Sequence, residues 1–179
     1  MIISNKQKEE NFQEFLRLQK DPDYYDVTFD ELSGGVSAVH KNHSFDKQMG
    51  PFGIKKGDYE SLSTEILRKN GHRVILESET APDGIKTPDG TIDGIAMDIK
   101  AVEGDGKWAI KDKFHDAIKK SVECVILYFH KEESFSLTRI DEGWIKFQND
   151  PSSMKYPATI KKVLCIVKND FVEYGLHEK

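Results

Sequence analysis

The sequence predicts a mixed α/β fold in which a central sheet is flanked by helices and the core runs helix, strand, strand, strand, helix, strand. Three observations carry this expectation. Residues 58–70 and 107–121 place apolar side chains at helical spacing. Between them lie one short apolar run and a pair of apolar runs joined by Asp93-Gly94. After the second helix, residues 122–129 are apolar apart from Glu123, as expected of a strand buried on both faces.

In chain order, residues 6–20 set Phe12, Phe15, Leu16 and Leu18 near helical spacing, and Asp21-Pro22 ends that helix. Residues 24–44 read as a hairpin: Asp26–Phe29, a Ser33-Gly34-Gly35 turn, then Val36–Val39. Glycines at 50, 53 and 57 with Pro51 mark a loop. The helix over 58–70 has Asp58 as its cap and Leu62, Ile66 and Leu67 as its apolar stripe; Asn70-Gly71 ends it. His72–Glu77 is the first core strand, and the second and third flank Asp93-Gly94. Lys107–Ser121 is the next helix, with Trp108, Phe114, Ala117 and Ile118 on its buried face. A further helix spans 136–147, Val163–Val167 is a strand, and Phe171–Leu176 adds an edge strand.

The 179 residues fit one domain, residues 51–179, with residues 1–50 as an N-terminal helix and hairpin appendage. Charged residues make up 32% and the net charge is −5, so bulk charge does not advertise a nucleic-acid binder; a local basic face is still compatible with one. Cys124 and Cys165 each sit inside an apolar run and fit no zinc spacing, which points to free thiols in a reducing cytoplasm. The start turns polar at once, unlike a secretory leader. No apolar stretch approaches the ~20 residues that span a bilayer, so no membrane partner is expected. No phosphate-binding glycine fingerprint and no nucleophile elbow is present, which argues against nucleoside-triphosphate and serine-hydrolase chemistry.

The chemistry is concentrated in the second hairpin. Asp-Gly favours a two-residue turn in which both residues take positive φ. That turn fixes the register: Ile92 faces Ile95, Thr91 faces Ala96, Gly90 faces Met97 and Asp89 faces Asp98. Alternation then puts Asp98 and Lys100 on one face, Met97 and Ile99 on the other. Opposed side chains have Cβ atoms about 4.5–5.5 Å apart, where two carboxylates repel unless a cation lies between them. Mg²⁺ (or Mn²⁺) suits such oxygen ligands, activates a bound water and offsets charge on a phosphate. Lys100 is placed to orient that water or to hold a phosphate oxygen.

Pro88-Asp89, eight residues, then Asp98-Ile99-Lys100 resembles the PD-(D/E)xK motif of restriction-endonuclease-like nucleases, and the order of elements is similar. Within that superfamily the chain resembles the C-terminal nuclease domains of contact-dependent growth-inhibition toxins and related phage and mobile-element proteins, over about residues 58–167. The resemblance implies a metal-dependent nuclease with Asp89 and Asp98 as metal ligands and Lys100 as the catalytic lysine. It implies an RNase acting on tRNA, deployed as a toxin or effector in a target-cell cytoplasm, with a cognate immunity protein as partner. A DNase with the same site, and an inert nuclease-like module of phage assembly, are the alternatives. An acid on the preceding helix often completes such metal sites; Glu60 is assigned that place, with Glu65 as its competitor. Asp93 is a second candidate, better read as a turn residue.

Basic residues near the motif are candidates for the phosphate backbone: Lys55 and Lys56 before the Glu60 helix, and Lys107, Lys111 and Lys113 along the next. Lys119 and Lys120 lie on that same helix beside Asp112 and Asp116, and a solvated helix face explains such a pattern equally well. His40, His43 and Asp46 cluster before the glycine-rich loop. Residues three apart on a strand face opposite ways, which favours surface or hydrogen-bonding roles for the two histidines over joint metal ligation. His115 and His130 have no distinguishing context.

Overall fold

The computed structural model describes residues 3–50 and 52–176; Pro51, expected in a loop, lies outside them. Eight strands form one mixed sheet in which spatial order equals chain order. They are β1 (Tyr24–Phe29), β2 (Val36–His40), β3 (Arg73–Leu76), β4 (Gly90–Ile92), β5 (Ile95–Val102), β6 (Cys124–Phe129), β7 (Lys162–Val167) and β8 (Asp170–Tyr174). The helices are α1 (Asn5–Leu18), α2 (Lys56–Lys69), α3 (Ala109–Ile118) and α4 (Leu137–Gln148). β2–β3, β5–β6 and β6–β7 pair in parallel; the other four neighbours are antiparallel. The core order α2-β3-β4-β5-α3-β6 is the one the sequence predicts.

Side-chain alternation sorts the core into two layers. Met97, Ile99, Cys124, Ile126 and Tyr128 pack with Tyr59, Ile66 and Leu67 of α2. Val102, Val125, Leu127 and Phe129 pack with Phe114 and Ala117 of α3 and with Ile140 and Trp144 of α4. Every residue of β6 is buried, so its unbroken apolar run reflects cover on both faces. Cys124 and Cys165 are free and belong to opposite layers; burial pushes both thiols up to about 12.

Residues before 50 are continuous with this sheet. β2 adds to β3 in parallel, and Leu18 of α1 packs with Val36, Ala38 and Ile75. Buried Asn11 donates to the carbonyls of Gly34 (2.9 Å) and Gly71 (3.3 Å), fastening α1 to the turn after α2. The outer strand β1 breaks register between Tyr25 and Thr28, with Asp26 at φ +50°, an irregularity that blunts an open sheet edge.

Trp108 departs from expectation. It is 48% exposed and precedes the first turn of α3, so it projects past the layer that Phe114, Ala117 and Ile118 fill. Lysines cover its ring instead: Lys107, Lys111 and Lys146 place ammonium groups 5.3, 5.9 and 5.5 Å from its centroid. No helix among the described residues is long and apolar enough to cross a membrane.

Candidate active site

The site forms where the sheet is left open. Asp93 and Gly94 take φ +51° and +90°, and the resulting pairs are Ile92 with Ile95, Thr91 with Ala96 and Gly90 with Met97. The Asp93 carboxylate accepts from the Arg73 N–H (2.9 Å) and the His72 ring (2.7 Å), so Asp93 anchors the turn to β3. β4 is only three residues long, whereas β5 continues to Val102. From Asp98 onward β5 is paired on the β6 side alone.

Asp89 lies just beyond the ladder. Its backbone N–H reaches the Met97 carbonyl at 3.1 Å, so direct cross-strand pairing with Asp98 is not formed. Its side chain fills the vacated edge instead: Asp89 Oδ2 accepts from the Ile99 N–H at 2.7 Å. Asp98 projects from the opposite pleat to Met97 and Ile99 and is fully buried; Asp89 is 4% exposed. The two carboxylates converge on one cation, because Lys120 Nζ donates to Asp89 Oδ1 and to Asp98 Oδ1, each at 2.6 Å. Lys100 Nζ lies 2.7 Å from Asp98 Oδ2, an ion pair without hydrogen-bond alignment.

The electrostatics divide the pair. Burial pushes Asp98 up to about 6, reinforced by the charge of Asp89 and opposed by Lys100 and Lys120. Burial also works against ionised Asp89, but Lys120 and Lys100 together outweigh it and hold this carboxyl below its usual range. For Lys120, the two carboxylates overcome burial and raise its pKa.

Glu60 lies on α2, on the other side of the gap. It shares a cleft of about 210 Å³ with Lys100, Asp46, Tyr59, Glu103, Lys56 and Lys113. His43, whose side chain is fully enclosed, bonds Glu60 Oε2 through Nε2 (2.9 Å) and donates from Nδ1 to the Glu77 carbonyl (3.0 Å). Burial raises the pKa of Glu60 against the pull of His43, with the charge of Asp89 adding to the rise. For His43, burial lowers the pKa but is outweighed by Glu60, the Glu77 carbonyl and the charge of Glu79. The net rise fixes the sign. Stability from charged His43 is complete below pH 6.5 and is lost as pH climbs through the raised folded value. The melting temperature should therefore fall above pH 6.5, and His43→Gln should flatten that slope; an unchanged slope would remove His43 as its source.

Glu65 pairs with Lys69 on the exposed side of α2, away from the cleft. Of the five lysines proposed for a nucleic-acid backbone, Lys56 and Lys113 line the cleft. Lys55 caps the start of α2 and is exposed. Lys107 and Lys111 surround Trp108, and Lys111 is tied to Asp150 at 2.5 Å. His40 accepts from the Asn42 N–H, His115 meets Ser152, and His130 stacks on Phe52. Sequence reading weighs Lys120 only as one of several lysines on a helix face and sets a metal-binding or general-base role for His43 behind a hydrogen-bonding one; it pairs neither with its acidic partners here.

Among the described residues, no three His, Cys, Asp or Glu side chains gather tightly enough to hold a metal ion. Asp89 and Asp98 are a pair, and Glu60 is bonded to His43. Two carboxylates nonetheless match a hard divalent cation, which commonly takes one or two and completes its shell with water and substrate phosphate. The convergence on Lys120 shows that both oxygens can face a single positive centre.

No family model and no curated protein matches the chain. A solved structure, a CdiA-CT/CdiI toxin and immunity complex from Burkholderia pseudomallei, is similar over 78% of this chain and 99% of that chain, at 17% identity and a TM-score of 0.49. That likeness is too remote to assign an activity.

Proposed function

We propose that this chain is a metal-dependent phosphodiesterase, a nuclease acting on RNA with tRNA as its foremost substrate, deployed as a toxin or mobile-element effector. The supporting observation is the convergence of Asp89 and Asp98 on one cation position at the open edge of β5, with Lys100 beside them. Asp89 and Asp98 would hold Mg²⁺ or Mn²⁺, which supplies an activated water and offsets phosphate charge when bound. Lys100 holds a phosphate oxygen and orients the attacking water. Glu60, its pKa raised by burial, takes up a proton more readily than an exposed carboxylate, and His43 fixes its direction. Lys56 and Lys113 draw the phosphate backbone along the cleft. The resemblance to growth-inhibition toxin domains favours RNA over DNA and suggests a cognate immunity protein as a partner.

One observation favours a second reading, a nuclease-like fold retained as a binding module. Lys100 and Lys120 already balance the two aspartates without a metal. A single set of measurements separates the two. For the nuclease, Mn²⁺ at about a hundred times its dissociation constant adds about 2.7 kcal/mol by linkage. For a chain of this size that raises the melting temperature by roughly 5–10 °C. Lys100→Ala should lose cleavage of tRNA by at least about a hundredfold while keeping the fold. No cleavage of tRNA or plasmid, combined with no thermal response to Mg²⁺ or Mn²⁺, would leave the binding module standing. Cleavage of plasmid but not tRNA would make the enzyme a DNase.

A further inference from the structure

We propose that Lys120 is a built-in counter-ion that occupies the cation position between Asp89 and Asp98 in the metal-free chain and is displaced when a divalent metal binds. It thereby sets the metal concentration at which the site loads. The inference rests on reading Asp89 and Asp98 as the metal pair and adds to it a competitor within the chain.

The geometry supplies the competition. Lys120 Nζ is 2.6 Å from one oxygen of each carboxylate, midway in the charge pattern where a shared metal would lie. Lys100 binds the other oxygen of Asp98 and does not touch Asp89, so the two lysines are not equivalent. An ammonium and a divalent cation cannot share one point between two carboxylates; like charges at contact distance repel too strongly.

Mobility decides which group yields. Asp98 is fully buried within β5, whose partner there is Val125 of β6. The second oxygen of Asp89 is held by the Ile99 N–H. The carboxylates are thus fixed by the sheet. Lys120 hangs from the turn that closes α3, its backbone pinned by bonds from its own N–H to the Ala117 carbonyl and from Ser121 to Ile118. Its side chain is 18% exposed, against 6% and 0% for its two partners. A flexible four-carbon stem with a route to water can withdraw its charge without moving the backbone. The released ammonium remains at the mouth of the site, where phosphate charge arrives with a substrate.

The test uses the full chain and Mn²⁺ alone as the probe, with calorimetric titration and thermal melting as readouts. Lys120→Met should melt lower than the parent in chelator, regain that loss when Mn²⁺ is added, and bind Mn²⁺ at least about tenfold more tightly. Should Lys120→Met fail to fold without metal, Lys120→Gln keeps a neutral donor at the position and should show the same tightening. Lys119→Met removes an equal charge one residue away, from a lysine paired with Asp116, and should leave the affinity unchanged. Parental binding of Mn²⁺ with no tightening in either Lys120 variant overturns the counter-ion role and leaves the metal site intact. Equal tightening in Lys119→Met also overturns it, by showing a general charge effect. No binding by the parent or by any variant overturns both the counter-ion and the metal pair.

Discussion

Asp98→Asn is expected to abolish cleavage and, at the same time, to make the metal-free chain more stable at pH 7.5. The activity side follows from its place: one of two carboxylates that converge on a single cation position is lost, together with the partner of Lys100. A fall of roughly 10³-fold or more is the scale for removing a group that stabilises reacting charge directly. The stability side follows from burial. Asp98 is fully enclosed and pushed up to about 6, first by burial and then by the charge of Asp89, despite Lys100 and Lys120.

A carboxyl with a raised folded pKa gives stability that is present below its unfolded value, 3.8, and lost as pH rises through about 6. Above that pH the native state carries an ionised group that its surroundings disfavour, at a cost on the order of 2–3 kcal/mol by linkage. Asparagine keeps the shape and removes the charge. Melting in chelator should therefore show parent and variant close together near pH 4.5 and the variant higher at pH 7.5. Excess Mn²⁺ should reverse that order, because only the parent gains a ligand by linkage. A variant that melts below the parent at pH 7.5 in chelator would mean that the two lysines fully compensate the burial of Asp98. A site residue whose removal stabilises the fold is one held in place for chemistry.

How much of this was readable in the sequence differs from residue to residue. The Asp93-Gly94 corner is local: two residues that tolerate positive φ dictate three cross-strand pairs, and from those the common face of Asp98 and Lys100. The same rule extends too far at Asp89. Cross-strand arithmetic assumes that the ladder continues, whereas β4 stops at Gly90, where the Pro88-Asp89-Gly90 turn signal lies. Asp89 and Asp98 do come together, but through the Ile99 N–H and Lys120.

Lys120 was not legible because its contacts cross 31 and 22 residues and depend on where the end of α3 lands against the sheet. Helical spacing reports which side of α3 is apolar; it does not report what polar group meets the turn beyond it. The His43–Glu60 bond crosses 17 residues and joins a loop to a helix, again a product of packing. Trp108 was misplaced because periodicity was extended one residue past the helix start, to a position whose side chain points beyond the layer. The division at residue 50 follows the limit of the family resemblance and the glycine-rich loop beside it; β2 pairs with β3 across it through backbone groups that every sequence carries.

Gly90→Ala should be the most damaging single methyl group in the site region. A Cβ at this position would lie 2.0 Å from the Ile75 carbonyl oxygen and 2.9 Å from Leu76 Cα, inside the β3–β4 pairing. Both obstacles are backbone, so no rotamer change relieves them and the strands must part. β4 contributes only three residues, and Leu76 with Gly90 is the last of its pairs with β3. Separation there also displaces Asp89, the next residue, from the Ile99 N–H and from Lys120. The expected cost is about 3 kcal/mol, the upper end of the usual overpacking range, because both obstacles are backbone. For a chain of this size that lowers the melting temperature by roughly 6–12 °C. Gly94→Ala separates close approach from conformational strain. Gly94 has φ +90° but its added Cβ meets nothing nearer than Arg73 Nη2 at 3.5 Å, so its cost should stay near the ~1–2 kcal/mol of a left-handed non-glycine residue. Gly90→Ala should also weaken Mn²⁺ binding, which Gly94→Ala should not, because only the former moves Asp89. Equal thermal losses in the two variants, with Mn²⁺ affinity preserved in both, would show that β3 and β4 have room to accept the methyl group and that Asp89 is not positioned by their contact.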